Sequence, residues 1–413
     1  MINDASRLMD DNTDDIDDNF IDDTPDDDIE IIESEDIDGL NSSDEEAHND
    51  NEEATAVVDE SVNSFAGHQK AVLCCDLSSD NAYVVSGGED DMAFVWRTQD
   101  MSVVFDVNGH KDSVVCVEFN ANNSLVATAD MSGLIQVYDM TGAKLFDFEV
   151  DEINWMLWHP MANNILLAGT SAGDAWMWKL VTTSLTFECK TFQSFGKSNV
   201  TAKCLPDGKR IVMGYDDGVV RIWDLKNVNV IHAISDLTAH TATITSLDCM
   251  PDNILIASAS VDSTAKLINS QTGKVVATFQ CGADVAPVAD AAEDTEELVD
   301  SVECVRLNSS LSVLATGTVE GSIDIWDIST QIKRHSCKHS SGVSKLSWDT
   351  NSPHILYTAG LDGIINIYDG RSGQLVGNKK GHLDQILDMK ISKDSTIAVT
   401  ASEDNCCKIF SLP

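Results

Sequence analysis

Basic residues are scarce in this chain. Its 413 residues hold 26 Lys and Arg against 69 Asp and Glu, a formal net charge of −43. Contacts to phosphate need Lys and Arg, so nucleic acid is not expected as a partner and a basic protein is. No apolar run reaches the ~18 residues of a membrane-spanning helix, so no transmembrane segment is expected. The opening residues, MINDASRLMDDNTDD, have neither the basic nor the apolar stretch of a secretion signal. The eleven cysteines are an odd number at irregular spacing, without a C-x-x-C pair. That pattern fits free buried thiols in a reducing compartment. A cytoplasmic location is expected, with the nucleus and the membrane periphery as alternatives. Proline is rare, at seven residues, and the 24 glycines are dispersed, which excludes collagen-like and low-complexity classes.

The negative charge is uneven. Residues 1–60 contain 25 Asp and Glu and one basic residue, Arg7. Such a stretch repels itself and cannot bury enough apolar surface to offset its chain entropy. A disordered acidic tail is expected over 1–57, with IEIIES (29–34) as an apolar island inside it. A second acidic segment, ADVAPVADAAEDTEELVD (283–300), reads as a loop. The whole sequence is 43 % hydrophobic, so the rest of the chain, 58–413, can form a large core.

What that remainder does have is a repeat. GGEDDMAFVW (87–96), DGVVRIWD (217–224) and DGIINIYD (362–369) each write a turn, a short apolar strand and an aromatic. The strand-ending residues Trp96, Tyr138, Trp178, Trp223, Ile268, Trp326, Tyr368 and Phe410 recur every 40–45 residues, except where the 283–300 loop lengthens one interval. A period in the low forties built from short strands indicates propeller blades of four strands each. The fold expected is all-β: a single eight-bladed β-propeller preceded by the acidic tail. The last repeat ends after its third strand, so residues 60–66 are expected to supply the fourth, beside 405–411.

Each unit offers polar residues at fixed offsets. Six before the aromatic comes Asp90, Asp217, Asp262 or Asp404, and ten before it Ser86, Thr128, Ser258 or Thr400. Further upstream lies His68, His110, His240 or His382. A turn carboxylate can accept from the His, the His can bond the hydroxyl, and the hydroxyl can accept from the indole of Trp96 or Trp223. This chain would satisfy buried polar groups across a blade; leaving one unsatisfied costs about 1–3 kcal/mol. Some units depart: Ala168 and Ala172 in the third, Met213 in the fourth, Ile268 in the fifth and Glu320 in the sixth.

The His…Ser/Thr…Asp…Trp-Asp pattern resembles WD-repeat propellers over residues 61–413. More closely, the runs GGEDDMAFVWR, GHKDSV, LVATADMSGL, NWMLWHP, LLAGTSAGDAWMWK and LPDGKRIVMGYDDGVVRIWDLK are similar to the angio-associated migratory cell protein family. That resemblance implies two functions. Animal members are linked to cell migration and angiogenesis, as an adaptor would be. A related fungal member is a chaperone that captures a basic ribosomal protein of the large subunit before assembly.

No G-x-S-x-G, phosphate loop or Ser/His/Asp arrangement is expected, and neither is an enzyme or a cofactor. SGGEDD (86–91) is a turn before a strand, not a phosphate cradle before a helix. HSCKH (335–339) alternates along one strand and lacks a partner cluster for metal. The turn acids Glu89, Asp91, Asp216 and Glu403 are expected on one rim, where they could receive Lys and Arg of a partner. Trp155 is read as packing between blades, with touching a partner at the channel mouth as its alternative. A monomer is expected.

Overall fold

The structure, a computed structural model, describes residues 58–282 and 300–413. The expected tail, 1–57, and residues 283–299 of the acidic loop lie outside the described residues. Among the described residues there are 32 strands and no helix. They form eight four-stranded antiparallel sheets, the blades of an eight-bladed propeller. Within a blade the strands are lettered a to d from the channel outward. Blade 1, for example, runs Val72–Leu77, Tyr83–Gly88, Ala93–Arg97 and Val103–Val107.

The b strands explain the apolar runs. LVATAD (Leu125–Asp130) is buried at every position, because it is covered on both faces by neighbouring blades. The d strands are exposed; Thr186–Phe192 of blade 3 buries only Phe192. Blade 8 takes Ile386–Ile391, Ile397–Ser402 and Cys407–Ser411, and its d strand is Asn63–Phe65, paired Asn63↔Ile409, Ser64↔Lys408 and Phe65↔Cys407. The expected closure is therefore made by the segment that precedes the first blade.

Inner strands of adjacent blades do not pair with each other, so their channel-facing amides need other acceptors. Acids near the ends of the a strands provide them. Asp76 accepts from Phe119 N (2.8 Å), Glu118 from Trp158 N (2.6 Å) and Asp248 from Leu307 N (2.8 Å). Asp388 accepts from Cys75 N (3.1 Å), and Lys390 reaches Asp76 at 3.5 Å across the closure. These acids clip one blade to the next.

Glu118 carries a cost for this. Burial and the neighbouring Asp76 carboxylate push it from 4.5 up to about 7. The folded protein thus holds this proton more tightly than the unfolded chain does. Its contribution makes stability fall as pH rises from 4.5 to about 7, with no further change above. Glu118→Gln keeps an acceptor for Trp158 N–H and removes the charge. It is expected to raise the melting temperature at about pH 8 while leaving it nearly unchanged at about pH 4. Equal pH slopes for both proteins across that range would contradict the assignment.

All eleven cysteines are free; most are buried or half-buried and Cys189 is exposed. Burial pushes the thiols of Cys75 and Cys407 well up, which keeps them protonated and unreactive.

Candidate functional site: the upper face of the propeller

The b–c turns and d–a loops share one end of the propeller, here the upper face. In blade 1 the polar chain across these loops is complete. Asp90 lies 3.0 Å from His68 Nδ1, and His68 Nε2 lies 2.9 Å from Ser86 Oγ. Trp96 Nε1 donates to the same oxygen at 3.2 Å. A carboxylate only accepts, so Nδ1 carries the proton. Burial works to raise Asp90, but His68 and the Gln69 amide outweigh it and hold the carboxyl below its usual range. Blades 5 and 8 have three members each: His240 with Ser258 (2.9 Å) and Asp262 (3.0 Å), and His382 with Thr400 (2.7 Å) and Asp404 (2.8 Å). Ile268 and Phe410 take the Trp slot and pack as apolar core.

Blades 2 and 4 differ from expectation. In blade 2 His110 bonds Thr128 (2.9 Å) and Asp130 (3.0 Å). Asp130 ends the b strand two residues before the expected slot, which holds Ser132; Ser132 Oγ instead donates to Asp130. Sequence offsets counted from the aromatic missed it, although ADMSG places an Asp beside the slot. In blade 4 Asp217 and Trp223 do not join a chain. Asp217 accepts only from Val219 N (3.2 Å), and Trp223 Nε1 has no partner among the described residues. The reason is that blade 4 has Met213 for the hydroxyl and no His. Asn199 fills the gap, accepting from Trp155 Nε1 at 3.0 Å.

That bond also decides Trp155 against the partner-touching alternative. It is buried between blades 3 and 4 with Phe192, Tyr215 and Trp223, not at the channel mouth. HSCKH is likewise spent on structure: His335 Nε2 bonds Arg371 O (2.8 Å) and His339 bonds Asp362 (3.1 Å). The expectation that the chain holds no G-x-S-x-G needs correcting from the sequence itself. GTSAG (169–173) spells G-x-S-x-G, but it turns from one strand into another, not into a helix, and Ser171 Oγ bonds Glu152 at 3.1 Å. The strained strand-to-helix elbow that exposes such a nucleophile is not built here.

The rim acids sit on a ring defined by the backbone. In every blade one b–c turn residue donates its N–H to the carbonyl just before strand a. The pairs are Glu89→Ala71, Met131→Ser113, Ser171→Glu152, Asp216→Ser198, Val261→Thr243, Val319→Ser301, Leu361→Gly342 and Glu403→Gln385, at 2.8–3.1 Å. Eight equivalent side chains therefore surround the upper mouth of the channel. Glu89, Asp216 and Glu403 are three of them, all exposed, and exposed Asp91 stands two residues past Glu89. The expected ring of acids is thus only partly acidic. Glu403 and Glu89 neighbour each other across the closure, while Val261, Val319 and Leu361 form an apolar arc on blades 5 to 7. Val261 and Val319 are 37 % and 41 % exposed. Lys70 lies 3.9 Å from Glu89, both more than half exposed, a pair worth little in water. Asp112, Asp151, Asp300 and Asp384 stand in the d–a loops of the same face.

Comparisons with known proteins agree with this architecture. The WD domain, G-beta repeat family matches residues 59–97, 101–139, 188–224, 232–269, 331–369 and 373–411. The Angio-associated migratory cell protein of Homo sapiens is 42 % identical over 354 residues, covering 85 % of this chain and 80 % of that protein. The Ribosome assembly protein SQT1 of Saccharomyces cerevisiae is 25 % identical, covering 87 % of this chain and 89 % of its own. Among solved structures, Chaetomium thermophilum Sqt1 bound to the N-terminus of the ribosomal protein L10 superimposes with a TM-score of 0.76 at 19 % identity, covering 86 % of this chain and 100 % of that one. At that identity the likeness shows the fold alone. The repeats, the closed eight-bladed ring and the identity to the human protein together place this chain in the WD40 repeat proteins and, within them, in the angio-associated migratory cell protein family.

Proposed function

We propose that the chain is a non-catalytic interaction platform whose upper face holds a basic segment of a partner protein, as an escort in assembly of the large ribosomal subunit. The observation that carries this reading is the eight-membered ring at the channel mouth. Its acids, Glu89, Glu403 and Asp216, can pair with Lys or Arg, and its arc of Val261, Val319 and Leu361 can seat an apolar side chain beside them. The relative named for ribosome assembly, and the related propeller bound to the N-terminus of L10, support a ribosomal protein as the partner. The protein acts as a monomer in the cytoplasm in this reading. A second reading, an adaptor in cell migration, rests on the 42 % identity to the human protein named for migratory cells. It predicts a regulatory partner without a strongly basic segment.

The test is titration of a basic N-terminal peptide of ribosomal protein L10 against the full chain. Wild-type affinity should fall as salt rises, mainly through slower association, because exposed charges interact over about 10 Å at 0.1 M salt. Lys substitutions together at Glu89, Asp91, Asp216 and Glu403 should weaken binding by at least about tenfold. The melting temperature should hold, since none of the four joins the buried polar chains. Unchanged affinity in the folded fourfold variant would move the site off this face.

A further inference from the structure

The lower face, opposite the ring, carries a groove of about 480 Å³ at the seam between blades 3 and 4. Its origin is a local departure from the repeat. Seven blades have a d strand that directly follows c; in six of them a register shift interrupts that pair, and only blade 3 runs straight, from Ala175↔Phe192 to Val181↔Thr186. The straight hairpin keeps Lys179 opposite Glu188 and Met177 opposite Lys190, on the sheet face that looks toward blade 4. The inner part of that face is covered by Trp223, Tyr215 and Ile211. Its lower, outer part is not. There blade 4 brings up Lys209 and Lys226 from its a–b and c–d turns.

Four lysines thus converge in a chain of net charge −43. Two carboxylates, Glu188 and Asp224, stand among them. Lys179 and Glu188 form an exposed pair at 3.4 Å, and Lys190 donates to Lys226 O at 2.8 Å. Asp224 accepts from Asn227 N at 2.7 Å. The ammonium groups of Lys209 and Lys226 have no ion-pair or hydrogen-bond partner among the described residues. The floor between the lysines is apolar: Ile165, Met177 and Leu225.

The lining chemistry selects the ligand. Lysines are point charges on flexible stems, suited to several mobile carboxylates rather than to one planar bidentate anion. No Phe, Tyr or Trp lines the groove, and its one aromatic ring, His159, is buried and held by Gly208 O and by the Met161 and Ala162 amides, so it offers no platform for a nucleotide base. A floor of Ile, Leu and adaptable Met suits an aliphatic side chain. The adjoining edge strand is exposed over its first six residues, which leaves room for an extended chain. We propose that the groove between blades 3 and 4 binds an acidic peptide segment of a partner protein, with an aliphatic residue seated on Met177 and its flanking carboxylates on Lys179, Lys190, Lys209 and Lys226. The platform would then be two-sided, basic partner above and acidic partner below, with no residue shared between the two sites.

A fluorescein-labelled peptide with one leucine flanked on each side by three glutamates is the probe. It is titrated by anisotropy at low salt against the full chain and against a chain beginning at 55, the start of the compact propeller unit. Saturable, salt-sensitive binding is expected. Lys209→Glu with Lys226→Glu should weaken it by at least about tenfold, and both positions are exposed, so folding should be kept. A peptide with glycine for leucine should bind about three- to tenfold more weakly. The fourfold upper-face variant should bind the probe at least as tightly as wild type. No saturable binding to either chain, or equal binding by the double Glu variant, overturns the proposal. Equal binding of the glycine peptide overturns the aliphatic seat.

Discussion

A chain beginning at residue 67 should melt far below one beginning at 55. The segment between them is short, but it closes the ring. Asn63–Phe65 forms the outer strand of blade 8, and its backbone contacts continue upstream through Val62 N→Ile409 O (2.7 Å) and Glu60 N→Lys380 O (2.8 Å). Asp59 meets Lys408 Nζ at 2.6 Å, and Asn63 Nδ2 donates to Thr98 O (2.9 Å), tying blade 8 to blade 1. Phe65 is buried and stacks on Trp96, with ring centroids 4.7 Å apart and planes 7° apart. Losing a buried Phe side chain costs about 3–5 kcal/mol. Freeing the edge of Cys407–Ser411 adds unpaired backbone groups. Against a total stability of about 5–15 kcal/mol for a native domain, this is a large share. Phe65→Ala alone should show most of the loss by chemical denaturation. If the two truncated chains melt together, the ring is held closed by contacts between blades 1 and 8 and not by the shared strand.

The blades were legible because their signal is local. An aromatic every 40–45 residues needs no knowledge of contacts, and each repeat writes its own turn. The polar chain was legible where offsets are constant, as for His68, Ser86, Asp90 and Trp96. It failed where a turn is reset. Asp130 does its work from the end of a strand, and Asp217 has the right offset but no His above it. The channel acids do leave a signal: Asp76, Glu118 and Asp248 are the charged residues of otherwise uncharged inner strands, at the same strand position in three repeats. The mixed character of the rim is not legible in the sequence, because Val261 and Val319 directly follow their b strands and read as ordinary strand residues. The lysine groove could not be read at all. Its residues come from two blades and six segments, and a missing register shift brings them together.

Removing the same hydroxyl from two blades should have opposite consequences. In blade 1, Ser86 Oγ sits between two buried partners, accepting from Trp96 Nε1 at 3.2 Å and bonding His68 Nε2 at 2.9 Å. Ser86→Ala strands both. Each unsatisfied buried group costs about 1–3 kcal/mol, so the variant should lose at least about 2 kcal/mol. In blade 7 the equivalent hydroxyl is Thr358, fully buried, with His339 and Asp362 in the places of His68 and Asp90. Yet neither Thr358 Oγ1 nor His339 Nε2 has a partner among the described residues, and the aromatic of this blade, Tyr368, turns its hydroxyl to Lys338 O at 3.0 Å. Thr358→Val keeps the shape and deletes a hydroxyl that is already desolvated without a bond. It should be neutral or stabilising by up to about 1 kcal/mol. Denaturant midpoints of the two variants beside wild type decide the matter. A loss in Thr358→Val as large as in Ser86→Ala would mean that blade 7 closes its polar chain in solution, and that the repeat enforces the bond even where the aromatic no longer takes part.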